Sequence, residues 1–194
     1  MRLELVQAPT EMPVTVDELR VHVWTDYNEP GDGLKESLIA AATGHFESIT
    51  GRKLIKQTWR AYLDAFPLRQ PVELPFGRVL NVTRVNWLDA SGVDHVVTPF
   101  TGYIPAIIGE NPQLHAVGGT WPSGSFFQID PVRIEFEAGF GAAADVPREI
   151  RQAILLLAAH WYENREAVLV GTTVREVPLA FKALSDPWRL LHVC

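Results

Sequence analysis

One stretch constrains the fold more than any other. Residues 132–166 read VRIEFEAGFGAAADVPREIRQAILLLAAHWYENRE. Val132, Ile134, Phe136 and Ala138 alternate with Arg133, Glu135 and Glu137, the period-two pattern of a strand with one buried face. Gly139 and Gly141 break that strand. Pro147 has no N–H and so suits the first turn of a helix, where that group has no intrahelical acceptor. Ile150, Ala153, Ile154, Leu157 and Trp161 then recur at helical spacing. A strand therefore runs into a helix, and each commits one face to burial. The pattern predicts Trp161 buried near Leu38 or Phe46.

Two further helices are expected upstream. Residues 1–14 read as an extended lead-in. Thr15 with Glu18 forms a capping box that starts a helix near Val16, with Val16, Leu19 and Val23 inward. The turn residues of 28–33 end it. The second helix places Leu34, Leu38, Ala42, His45 and Ile49 on one stripe, with Ile39 and Phe46 beside it, and Gly51 as its C-cap. Residues 54–141 change character. Ile55, Gln57, Trp59, Ala61 and Leu63 alternate with polar residues, 79–88 is β-rich, and Asp89-Ala90-Ser91-Gly92 turns the chain into 93–97. Residues 99–131 give short strands at best. After the helix that starts near 147 come a loop, a short helix over about 178–184, and an apolar tail. The expected fold is α+β: a helical bundle of three to four helices with an inserted small antiparallel β-region. Its parts are 1–53 (helical), 54–141 (β) and 142–194 (helical, with the tail).

Composition narrows the function classes. A net charge of −6 argues against a nonspecific nucleic-acid binder, which needs a basic face. No run of 18 apolar residues predicts a membrane span, and the first residues lack an apolar signal core. The single cysteine, Cys194, cannot form an internal disulfide, which fits folding in a reducing cytoplasm.

Chemistry is sparse. The six histidines show no HExxH and no zinc-type helical pair. His160 and Glu163, one helical turn apart, come closest to a ligand pair, but packing on a helix rim is the simpler role. No Gly-x-Ser-x-Gly and no phosphate loop is present. No metal and no cofactor is expected. Trp59, Trp87, Trp121 and Tyr103 offer either a sugar platform or core aromatics, and small β-sheets use aromatics mostly for core. The tail, Trp188-Arg189-Leu190-Leu191-His192-Val193, is apolar and aromatic at a chain end. Such a segment either folds back or inserts into a partner.

Several short motifs occur together in one order. They are TVDELRVHVW, then LKESLIAAATGHFESITGRKLIKQTW, Asp64-Ala65-Phe66-Pro67, Val72-Glu73-Leu74-Pro75, Trp121-Pro122, FEAGFG and VPREIRQAILLLAAHWYENRE. Together they resemble the head–tail connector (adaptor) proteins of long-tailed bacteriophages and gene transfer agents. The resemblance covers nearly the whole chain apart from residues around 98–115. It implies a structural protein and no enzyme, made in the bacterial cytoplasm and placed in the neck of the particle. It implies a homo-oligomeric ring, typically a dodecamer, under the capsid portal. Such a ring extends the DNA channel and meets a stopper or tail-completion protein, while double-stranded DNA passes through without specific binding. It also implies that Trp188, Arg189, Leu190, Leu191, His192 and Val193 dock on the portal, with Trp and Arg as typical interface anchors. The alternative reading is a particle-borne enzyme or carbohydrate-binding module.

Overall fold

The computed structural model describes residues 1–24, 31–164 and 179–190. The chain divides into two compact units, Met1–Pro9 with Lys56–Phe140, and Thr10–Ile55 with Gly141–Cys194.

The first unit is all β. Among the described residues it holds eight strands: β1 (Arg2–Gln7), β2 (Gln57–Leu63), β3 (Val72–Glu73), β4 (Val79–Leu88), β5 (Asp94–Val96), β6 (Tyr103–Ala106), β7 (Gln113–Ala116) and β8 (Val132–Ala138). Five form one antiparallel sheet in the order β1-β2-β8-β4-β5, and three form a second in the order β3-β7-β6. The period-two pattern of β8 is realised: Val132, Ile134, Phe136 and Ala138 are all fully buried. On its other face Glu135 lies opposite Arg60 and near Arg84 in the register. Arg60 there meets Glu135 at 2.9 Å and Glu4 at 3.5 Å. The lead-in supplies β1, whose register pairs Leu3 with Ala61 and Leu5 with Trp59.

Both sheets share one core, and the smaller sheet contributes Val72, Tyr103 and Leu114 to it. Trp121 stacks on Phe66 with centroids 4.8 Å apart, and its indole N–H donates to the Gln70 carbonyl at 3.0 Å. Trp59 and Trp87 pack against the same core. Close approach is built in at Gly102, where an added Cβ would lie 2.5 Å from Val97 Cγ1. The β4–β5 turn is held by Asp89, whose carboxylate accepts from the N–H groups of Ser91 and Val93 and lies 2.9 Å from His95 Nε2.

The second unit is helical, with α1 (Val16–Val23), α2 (Asp32–Thr50), α3 (Arg148–Glu163) and α4 (Leu179–Ser185). The Thr15–Glu18 capping box is present at α1. Gly51 takes the left-handed conformation (φ 73°) that ends α2, a region glycine enters without a Cβ penalty. Ile39, Ala42 and Phe46 of α2 and Ile150, Ile154 and Leu157 of α3 are buried.

Three expectations need correction. The fold is mixed α+β, but it is not a helical bundle carrying a small β insert. Eight strands in two antiparallel sheets build a β-unit with its own core, about half of the chain. The bundle reading failed because helices announce themselves by long periodic runs, whereas four-residue strands such as β6 and β7 are too short to do so. Second, the buried stripe of α2 runs through Lys35, Ile39, Ala42, Phe46 and Thr50, one residue round from the apolar stripe of Leu34 and Leu38. Third, Trp161 is only half-buried and meets His45 edge-on, with centroids 6.2 Å apart.

Lys35 is fully buried, its Nζ has no hydrogen-bond partner among the described residues, and it lies 5.5 Å from the centroid of the Tyr162 ring. Burying an ammonium without an anion is costly, and an aromatic face returns only about 2 kcal/mol when desolvated. Lys35→Met should therefore raise the melting temperature in a thermal unfolding scan. Phe46→Ala should destabilise by about 3–5 kcal/mol, and Trp161→Ala by roughly half of that because part of the ring already faces water. A second expectation concerns acid. Asp89 is held below the usual carboxylate range, first by the hydrogen bond from His95 and then by those from Val93 and Ser91. A lowered native pKa contributes stability above the unfolded value and loses it as the pH falls through the native one. Asp89→Asn should thus lower the melting temperature at pH 7, with the gap closing below about pH 3.9.

Candidate docking surfaces

The tail is the segment singled out by its composition, and its beginning is well placed. α4 leads into a 3-10 turn at Asp186–Trp188. Phe181 of α4 is buried against Phe46 (6.3 Å, edge-on) and His45 (5.6 Å) of α2. That packing brings the following residues to the C-terminal end of α2. There the Leu190 N–H donates to the Thr50 carbonyl at 2.9 Å. The last carbonyls of a helix lack intrahelical donors, so this bond satisfies one of them. Arg52, only 3% exposed, donates from Nε to the Trp188 carbonyl, and its guanidinium carbon lies 5.7 Å from the centroid of the Trp188 ring. A Cβ on Gly51 would touch Leu190 Cδ1 at 3.6 Å.

Trp188 and Leu190 are half-buried and Arg189 is exposed, with its Nε 3.2 Å from Asp186. The first half of the predicted docking segment therefore folds back on α2. Leu191, His192 and Val193 lie outside the described residues. Arg52 is the functional residue that the sequence pattern did not single out. It lies in the Thr50-Gly51-Arg52 boundary, but nothing in spacing distinguishes a buried clamp from an exposed arginine.

The other candidates are dispersed. His160 Nδ1 lies 3.4 Å from the Asn164 side chain, and Glu163 is exposed. Among the described residues no three His, Cys, Asp or Glu side chains gather as a metal site would require. Tyr103 and Trp121 are buried, so two of the four sugar-platform aromatics belong to the core. A groove of about 400 Å³ between α1 and α3 is lined by Asp17, Glu18, Val21, His22 and Leu155, and is shallow and open. No described helix is long and apolar enough to cross a membrane.

The profile of the phage gp6-like head-tail connector protein family matches residues 131–189. Solved structures extend the likeness to the whole chain. A chain in the virion of the native gene transfer agent (GTA) particle is 30% identical, with 100% of this chain and 98% of that one covered and a TM-score of 0.82. One in the neck of the empty GTA particle, computed with C6 symmetry, is 29% identical over the same shares, TM-score 0.82. Another, in the neck of the native particle computed with C12 symmetry, is 29% identical over the same shares, TM-score 0.79. No curated protein matches. The chain belongs to the head–tail connector family, and its role is structural, joining head to tail.

The Arg52 clamp yields a direct expectation. Arg52→Ala should speed amide exchange at Leu190 by on the order of tenfold, since the neighbouring anchor at Trp188 is lost. Exchange at Ile154, deep in α3, should stay unchanged. Hydrogen exchange followed by NMR reads both amides in one experiment.

Proposed function

We propose that copies of this protein close into a ring of twelve beneath the capsid portal, extend the DNA channel and present a surface to the next neck component. The single observation that carries this is the full-length likeness to chains in GTA necks, computed with C6 and C12 symmetry. The charge is compatible with a conduit. Twelve copies at −6 each carry about −72, and an acidic lining repels phosphate and keeps a duplex mobile. The reading includes no catalytic step.

Docking on the portal is assigned to Trp188, Arg189, Leu190, Leu191, His192 and Val193. The fold-back at Thr50 and Arg52 refines how this works. Trp188 and Leu190 hold the described start of the segment against the end of α2. A segment anchored at one end loses less entropy on binding than a free one, and multiple copies on a ring add avidity.

Two truncations separate anchoring from docking. Removing residues 191–194 should leave the melting temperature within about 1 °C of the full chain, below the roughly 2–4 °C that 1 kcal/mol produces in a chain of this size. It should also leave DNA-filled heads without tails. Removing 187–194 should in addition lower the melting temperature, because the α2 cap and the Arg52 contacts go with it. If heads carrying the shorter truncation acquire tails normally, the docking surface lies elsewhere.

A further inference from the structure

A closed ring under cyclic symmetry needs two different faces on each copy, because a face that meets itself requires a two-fold axis. The five-stranded sheet has two unpaired ends, β1 and β5, on opposite sides of the order β1-β2-β8-β4-β5. Four strand spacings separate them, about 19 Å. We propose that these two ends are the ring-forming faces: the β1 end of one copy packs against the β5 end of the next. This rests on the ring reading above.

The two ends share three properties. First, each has backbone groups that no described strand pairs. β1 runs six residues, so roughly three N–H and C=O pairs point away from β2. Second, each exposes aliphatic side chains. Leu5 and Val6 are 44% exposed, Val93 is 53% and Val96 is 60%. Val6 is the extra residue of a bulge between Leu5 and Gln7, a device that opens an edge strand outward. Third, the charged side chains of the two edge strands pair within the chain. Arg2 pairs with Asp130, and Glu4 accepts from Tyr62 and meets Arg60. Asp94 holds Arg84 at 2.8 Å and Asn86 at 2.6 Å.

Charge identifies the occupant as a second copy. Residues 95–129 contain a single charged residue, Glu110, whereas the chain as a whole carries 40. At the β5 end the exposed charges Asp94 and Arg84 already pair with each other, which leaves a partner selected by charge complementarity little to bind. Two copies of net charge −6 can meet at short range only where charge is absent or already neutralised, as it is at both ends. Charge depletion at the centre is also what distinguishes protein interfaces from the rest of a surface. Self-pairing of β1 with β1 is excluded by cyclic symmetry, which leaves β1 against β5 within this sheet.

The test is a cross-linking ladder in assembled necks. Particles are produced with the Cys194→Ser chain carrying Val6→Cys, Val96→Cys, or both, and treated with a short bis-maleimide. All the substituted side chains are exposed, so unchanged melting curves should accompany each variant. The double variant should give a ladder of covalent multimers of this chain. Each single variant should give none, since a head-to-tail contact brings the two positions together and never a position to its own copy. Independently, Val6→Glu should reduce ring formation by on the order of tenfold, and Val6→Glu with Val96→Lys should restore it. Rings that form normally with no ladder overturn the inference and leave the ring reading standing. So does a cross-link to a different particle protein, or a dimer from either single variant. Necks without any ring of this chain overturn both.

Discussion

The two-sided pairing of β8 is the constraint on which the β-unit depends. Its seven residues pair in register with β2 on one side and β4 on the other. Its four core-facing side chains are fully buried. A one-residue slip would exchange Val132, Ile134, Phe136 and Ala138 for Arg133, Glu135 and Glu137, placing three charges in the core. Burial thus sets the register of β8 strongly, and β8 in turn sets that of its neighbours. The two irregularities of the β4 pairing, at Val79/Asn81 and Val82/Arg84, take up the mismatch in β4 and leave β8 regular. β1 and β5 then follow as the outermost strands, which is why they alone in this sheet keep an unpaired side.

In the helical unit the corresponding element is the end of α2. Thr50 bonds back to the Phe46 carbonyl through its hydroxyl and receives the Leu190 N–H on its own carbonyl. Gly51 turns the chain, and Arg52 reaches Trp188. Three consecutive residues thus cap a helix, redirect the chain and hold the start of the tail. The described start of the segment assigned to docking, Trp188 to Leu190, is tied to a structural element.

Much of this was legible in sequence. Capping residues, the Gly51 stop, the alternation of β2 and β8 and the Asp89–Gly92 turn all act within a few residues, so their chemistry is readable locally. What was not legible depends on neighbours distant in the chain. β1 reads as a lead-in because its partner Ala61 lies 58 positions beyond Leu3. Nothing local in the sequence marks Lys35 as buried, since the packing of α2 on α3 turns that position inward. Trp161 continues the apolar period of α3, yet the period does not say where the buried arc ends. The family resemblance supplied the function where local chemistry had none to offer. The resemblance singled out Trp188 and Leu190 as anchors for a partner, and what only the structure adds is that their carbonyl and N–H are engaged by Arg52 and Thr50 of the same chain.

An acidic subunit that assembles with copies of itself faces a conflict between range and contact. At physiological ionic strength repulsion between like-charged copies is screened beyond about 8 Å, so it hardly opposes their approach from a distance. It acts at contact, where charges buried without partners lose their hydration and gain nothing in return. Spreading the acidic residues uniformly would keep a DNA channel slippery and make ring closure costly. Gathering them away from a nearly uncharged segment of 35 residues, and pairing those that remain at the sheet ends internally, separates the two demands. The sheet then serves assembly through its ends while the rest of the surface keeps the charge. In the proposed ring each end is covered by a neighbouring copy. The same apolar residues that close a ring, if left unpaired on a single copy, are an edge open to aggregation.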